Sequence, residues 1–214
     1  MELGEAVRRR RMTRCFSEET VEAGAVDRIV ASALSAPSAG FTQGVEWLVL
    51  TTAEERRSFF EAVSEEGFLD DASRLAGLRR APVVLLPVAA PGAYVGRYAE
   101  PDKRSSRLYG LPASRWPVPY WTVDAAFATM LVLLAAEDEG LGALFFHLGP
   151  HRPRLEAAFS LPSASSIIGA VALGHPCLGE AHDKSRSKES PSSRASPRRR
   201  ARRPLGEMVH RGSW

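Results

Sequence analysis

The chain has 214 residues, 44% hydrophobic and 25% charged. That is the composition of a soluble globular protein long enough for one sizeable core. The net charge of +3 hides an asymmetry: nine basic and three acidic side chains between 180 and 203 leave the remainder slightly acidic.

Two cysteines, Cys15 and Cys177, lie in no CxxC pair. They exclude a disulfide framework and a thiolate zinc site, and read as thiols in a reducing compartment. No apolar segment follows the arginine-rich start, so no secretory signal is expected. The longest apolar stretch, Val123 to Ala136, falls short of the ~20 residues that span a bilayer. The expectation is a cytoplasmic protein with no membrane partner and no metal.

Residues 2–11 predict a short helix ending in a basic run. Residues 21–35 predict a second, with Val26, Ile29, Val30, Ala33 and Leu34 at helical spacing, stopped by Pro37. A strand is expected over 46–51. Thr52 and Glu55 have capping-box spacing and open a helix containing Phe59, Phe60 and Val63. A helix over about 68–80 leads into 81–88, an apolar run between prolines that predicts a buried strand.

Residues 90–118 read as irregular. A helix over about 120–139 is apolar on nearly every face and therefore expected to be buried all round, ending at Gly140-Leu141-Gly142. Strand 143–148, helix 150–158 and a last strand over 165–174 complete an α+β pattern with a central sheet and a central helix. Residues 178–198 are rich in Ser, Arg, Lys and Pro and predict a disordered basic linker. Order is expected to return over 199–214, docking through Pro204, Leu205, Met208, Val209 and Trp214.

Two segments carry candidate chemistry. Arg10, Arg11 and Arg14 can bind a dianionic phosphate by charge-assisted hydrogen bonds, or form a solvated helix end favoured by the helix dipole. Ala36-Pro37-Ser38-Ala39-Gly40-Phe41-Thr42-Gln43 can bring small residues and turn N–H groups close to a flat ring, or simply join a helix to a strand. No GxGxxG is present, so a dinucleotide-binding domain of that kind is not expected. No Ser/His/Asp or paired-carboxylate motif is recognisable either.

Taken in order, Arg10 to Phe16 and Ala36 to Gln43 resemble the amino-terminal signature of the FMN-dependent nitroreductase family. Its usual pattern is Arg-Arg-Ser-x-Arg-x-Phe followed by Ala-Pro-Ser-x-x-Asn-x-Gln. The stretch Asp124 to Gly142 is similar to that family's central helix, and Arg200 to Leu205 to its C-terminal basic motif. The resemblance implies an α+β nitroreductase-like fold, a mostly antiparallel sheet around a buried central helix, over residues 1–177. It implies a homodimer with two FMN sites shared between subunits.

By position, Arg10, Arg11, Met12 and Arg14 would hold the phosphate and ribityl end, with Arg200 and Arg202 closing from the C-terminal side. Pro37, Ser38, Ala39 and Gln43 would come from the partner subunit to the ring. His147 and Leu148 would lie near the flavin's reactive edge, where His147 either bonds flavin or substrate or is an exposed strand-end residue. NAD(P)H would supply hydride to flavin N5, and a small aromatic or quinone-type acceptor would take it in turn, the chemistry being the flavin's.

Met12 stands where serine is usual and Phe41 where asparagine is usual, which leaves open a flavin-storing or flavin-degrading relative. Phe41, Tyr98, Trp116 and Tyr120 are candidate substrate contacts. Their region, 90–121, would form an aromatic lid or a surface segment pinned by aromatic packing. In a different class, the basic tail could attract nucleic-acid phosphates, although it has no interleaved aromatics and matches no reader module.

Overall fold

Five strands form one antiparallel sheet in the computed structural model, which describes residues 1–64, 76–149, 151–177 and 202–213. They are β1 (Val45–Leu50), β2 (Val83–Ala89), β3 (Gly142–Phe146), β4 (Ser166–Ile167) and β5 (Ala170–Gly174). Their order is β1-β2-β5-β3, with β4 beside β2. The register runs from Val45 opposite Ala89 to Leu50 opposite Val84, and Phe146 lies opposite Ala170.

The helices are α1 (Leu3–Arg9), α2 (Ala23–Ala33), α3 (Ala53–Val63), α4 (Pro91–Arg97), α5 (Tyr120–Asp138), α6 (Arg152–Phe159) and α7 (Leu205–Met208). Alternation along the strands sorts the core into two layers, because successive side chains point to opposite faces. Val83, Leu85, Val171 and Leu173 pack with Val26, Ile29, Ala128 and Val132 of α2 and α5. Val84, Leu86, Leu144 and Phe146 pack with Phe59, Phe60 and Leu155 of α3 and α6. Every residue of β2 is buried, as its continuous apolar sequence requires. The Thr52–Glu55 capping box is formed in both directions at the start of α3.

Several expectations are corrected. The segment read as irregular contains α4, which starts with proline at its first turn, and short 3-10 turns at Pro101–Lys103 and Ala113–Arg115. The single strand expected over 165–174 is two strands broken at Gly169. There φ is +158°, and an added Cβ would lie 2.5 Å from the carbonyl oxygen of Phe146. Of the helix expected over 68–80, a 3-10 turn at Ala76–Arg80 is described, and 65–75 lie outside the described residues. Cys15 and Cys177 are joined as a disulfide, so the inference of a reducing compartment from free thiols no longer holds.

The helix α5 is also not enclosed. It crosses one face of the sheet and buries Ala125, Ala128, Val132, Leu133 and Ala136. On its other side Phe127 is 49% exposed and Met130 40%, with Val123 and Leu134 half-buried. At 19 residues it is long and apolar enough by length and composition to cross a membrane. Its packing on β2 and β3 makes it a core helix with one uncovered side.

The chain divides into two compact units, Met1–Ala181 and His182–Trp214. The basic segment 178–201 lies outside the described residues. Residues 202–213 carry α7 and are exposed throughout, with Arg203 donating to the Glu207 carboxylate at 3.4 Å.

Candidate functional site

The arginine segment is an arm held by its backbone. Helix α1 ends because Arg10 leaves the helical region, at φ −45° and ψ 125°. Beyond it Met12 bridges Ala143 in parallel register, and the Thr13 N–H donates to the Ala143 carbonyl at 2.9 Å. Gly142 permits this approach: a Cβ there would lie 2.5 Å from Thr13 Oγ1. The arm then pairs with the chain after β5. Ser17 N–H donates to the His175 carbonyl at 2.9 Å, Cys177 N–H to the Cys15 carbonyl at 3.2 Å, and the Cys15–Cys177 disulfide closes the pair across a Cα separation of 5.6 Å.

The three arginines of this arm have different situations. The Arg11 guanidinium donates to the carbonyls of Arg8, Arg9 and Arg10, at 2.6, 3.2 and 2.9 Å, and so satisfies the open carbonyls at the end of α1. Arg14 is exposed, with one contact to the Met12 carbonyl at 3.3 Å. Arg10 differs from both, because its Nη1 is buried and has no hydrogen-bond partner among the described residues. A buried charged donor without an acceptor is costly, so this atom asks for an anion.

The second segment is a turn held by side chains. Ala39–Phe41 forms a 3-10 turn after the extended Ser38. Gly40, Phe41 and Gln43 all have positive φ, +64°, +57° and +52°. Glycine is needed at position 40 twice over, since a Cβ would also lie 2.8 Å from the Tyr98 ring. Within the turn, Phe41 N–H donates to the Ser38 carbonyl at 2.9 Å and Gln43 N–H to Ser38 Oγ at 3.0 Å.

Two outside groups grip the turn. Ala39 N–H donates to Asp124 Oδ2 at 2.8 Å, and Arg97 Nε donates to the Gly40 carbonyl at 2.9 Å. Arg97 is itself held by Asp102 at 2.7 and 2.8 Å and by Glu100 at 2.9 Å. Its guanidinium lowers the Asp102 carboxyl to about 2. Beside Asp124, burial and then the carboxylate raise the Tyr94 phenol above its ordinary value, so it stays neutral. Phe41 is 77% exposed; Pro37 and Gln43 are exposed, and Ser38 and Ala39 half-buried.

The aromatic residues of 94–121 pack on one another. Tyr98 meets Trp116 at 5.0 Å between centroids, Trp116 meets Tyr120 at 6.2 Å and Trp121 at 5.7 Å, and Trp121 meets Tyr94 at 6.2 Å. Lys103 sits 5.5 Å over the Tyr98 ring. These rings form a wall behind the 38–43 turn. Past β3, His147 is exposed and Leu148 buried. The register places them at the end of the sheet that also carries the turn, on the opposite edge. Arg202 belongs to the second unit and is exposed; Arg200 lies outside the described residues.

Helix α5 fixes the distance between arm and turn. Asp124 near its start holds Ala39, and Glu137 near its end holds Arg9 at 3.1 Å. Thirteen residues at 1.5 Å rise separate those anchors by about 20 Å. In the sheet, the turn enters edge strand β1 while the arm lies on edge strand β3. One chain therefore does not bring Pro37–Gln43 together with Arg10–Arg14. Sequence reasoning missed the hold of Asp124, Tyr94 and Arg97 on the turn. The signal for Asp124 was present, as it is the one charged residue in the apolar run from Tyr120 to Ala136.

Comparison with known proteins adds to this geometry. The model of the nitroreductase family matches residues 7–175. A Thermus thermophilus protein named NADH dehydrogenase is 28% identical over 176 residues, covering 80% of this chain and 85% of that one. Among solved structures, B. megaterium NfrA2 superposes with a TM-score of 0.69 at 21% identity, covering all of this chain and 76% of that one. A nitroreductase with bound FMN from Bacteroides fragilis gives a TM-score of 0.61 at 17% identity, covering 89% of this chain and 95% of that one.

Proposed function

This chain belongs to the nitroreductase family, and from that premise we propose that it is an FMN-dependent oxidoreductase working as a homodimer with two shared sites. Arg10 Nη1, buried and without a hydrogen-bond partner among the described residues, carries the reading. It lies in an arm that also presents Arg14, so the donors fit a phosphate group. Arg10 and Arg14 hold the phosphate, and Met12 lies along the ribityl end. Arg11 contributes charge while its hydrogen bonds close α1.

The partner's copy of the turn supplies Pro37, Ser38, Ala39 and Gln43 to the ring. The reason is geometric: arm and turn sit about 20 Å apart along α5 in one chain. Two copies related by a two-fold axis and paired antiparallel through α5 would set the start of one helix beside the end of the other. Val123, Phe127, Met130 and Leu134 form one apolar stripe at helical spacing, and burying it against a second copy removes that stripe from water.

His147 and Leu148 border the reactive end, and Phe41, Tyr98, Trp116 and Tyr120 wall the substrate space and exclude water. When bound, FMN supplies the hydride chemistry, accepting two electrons from NAD(P)H and passing them to a small aromatic or quinone-type acceptor that visits the pocket in turn.

The test is direct. Purified protein is expected to be yellow, to release FMN on denaturation and to run as a dimer on a sizing column. Phe127→Asp is expected to give a monomer that has lost FMN, although every arginine is intact. Colourless protein that takes up no added FMN overturns the assignment, and a monomer that retains FMN overturns the shared site.

A further inference from the structure

We infer that Asp124 is a positioning residue that sets the backbone of the 38–43 turn. Its effect on the turn stands on geometry alone, while its effect on the flavin rests on the function proposed above. The side chain is 4% exposed in the second turn of α5. No cation pairs with it among the described residues; it accepts a hydrogen bond from the Ala39 N–H, 85 residues away in sequence, and the buried Tyr94 phenol also interacts with it. A buried carboxylate costs desolvation that an apolar residue would not. At this position that charge is matched to a backbone donor, and to one in the segment whose conformation is least favourable.

Three of the four residues after Ala39 have positive φ, two of them not glycine. Such geometry persists only where the surroundings over-determine it. The turn's own hydrogen bonds run among Ser38, Ala39, Phe41, Thr42 and Gln43 and would move with it as a unit. Among the described residues, the hydrogen bonds that tie it to the rest of the molecule come from two groups on adjacent residues: Asp124 on the Ala39 N–H and Arg97 on the Gly40 carbonyl. Arg97 reaches in from an exposed ion-pair cluster, where solvent competes. The Asp124 contact is sheltered, with the buried Tyr94 ring beside it and Gly44 pressed on that ring, where a Cβ would come within 2.5 Å. Asp124 is thus the rigid tie, and it determines how Ser38 and Ala39 face the ring.

The experiment compares Asp124→Leu and Asp124→Asn in the full-length chain. Leucine fills a similar volume and drops the buried charge, so the fold survives where alanine would leave a cavity. Asparagine keeps an oxygen that accepts from Ala39. The first measurement is hydrogen exchange of the 38–43 amides in protein stripped of flavin. D124L is expected to exchange at Ala39 at least roughly tenfold faster, the loss of a charge-assisted hydrogen bond, and D124N to stay near the parent. The second is the visible flavin spectrum and the kcat–KM split of FMN-loaded protein. D124L is expected to shift the absorption bands and lower kcat while FMN per chain is unchanged, because the arm is untouched.

Unchanged Ala39 exchange in D124L overturns the positioning role whatever the cofactor. Faster exchange with an unmoved spectrum and kcat overturns its reach to the ring. A parent protein that binds no FMN overturns the proposed function but leaves the exchange result to decide the turn.

Discussion

The arm at 10–17 and the turn at 37–43 are both irregular backbone, yet they are held in opposite ways. The arm is fastened through its main chain, by the bridge to Ala143, the pairing with His175 and Cys177, and a disulfide. Its side chains, Arg10 and Arg14 above all, are the ones proposed to meet a ligand. The turn is fastened largely by side chains from elsewhere, Asp124 and Arg97, and by Ser38. What remains for a ligand there is backbone and small groups. A segment that binds with charge needs a rigid backbone beneath it; one that lies against a flat ring needs its backbone aimed by others. Single side-chain changes should therefore disturb the turn's shape more than the arm's.

The largest effect should follow from unpinning the arm. The disulfide closes 162 residues, and on the chain-entropy account a loop of that size contributes up to about 5 kcal/mol. Cys15→Ser with Cys177→Ser should lower the urea midpoint by a corresponding amount and make it insensitive to reductant. A parent whose midpoint does not move when reduced would argue that the main-chain pairing suffices.

Next comes the arm's side chain. Arg10→Ala removes a charged donor and should weaken FMN binding about 10- to 100-fold in a fluorescence titration, leaving the fold's stability nearly unchanged. Loss of stability in place of affinity would reverse the proposed division of labour.

The turn should respond to a smaller change. Gly40→Ala puts a Cβ at φ +64° and 2.8 Å from Tyr98, and should cost about 1–2 kcal/mol from backbone conformation alone. A thermal melt equal to the parent's would show that the turn relaxes freely.

The smallest effect is acid release of Arg97. Asp102 has its carboxyl lowered from 3.8 to about 2 by that guanidinium. Its support is therefore complete above about pH 4 and is lost as pH falls toward 2. Protection of the 38–43 amides, taken relative to their intrinsic exchange rate at each pH, should fall in that window in the parent, and Asp102→Asn should show the low protection at every pH. A pH-independent parent would leave Asp124 as the main tie.

Much of the fold could be read along the chain. The continuous apolar run of β2 and the Thr52–Glu55 box are local signals, and each appears where expected. Helix α4 went unseen because Gly92 and Gly96 weaken its pattern, although Pro91 at the first turn is a recognised start signal. The pattern after 165 predicts one strand because nothing local shows that Gly169 meets the Phe146 carbonyl. In the site, the arginine cluster and the small-residue turn were legible as residue types. The capping by Arg11 and the grip of Asp124 were not.

The sequence by itself determined most of the helices and strands, α4 and the break at Gly169 excepted, and which segments could meet an anion or a flat ring. Those properties follow from periodicity, capping and backbone sterics among residues a few positions apart. Only the tertiary structure decided that Cys15 pairs with Cys177, that Asp124 holds Ala39, that one side of α5 lies uncovered, and that arm and turn stand on opposite edges of the sheet. Each is a contact between residues far apart in the chain. Such contacts depend on how the two core layers pack, and no local pattern encodes that.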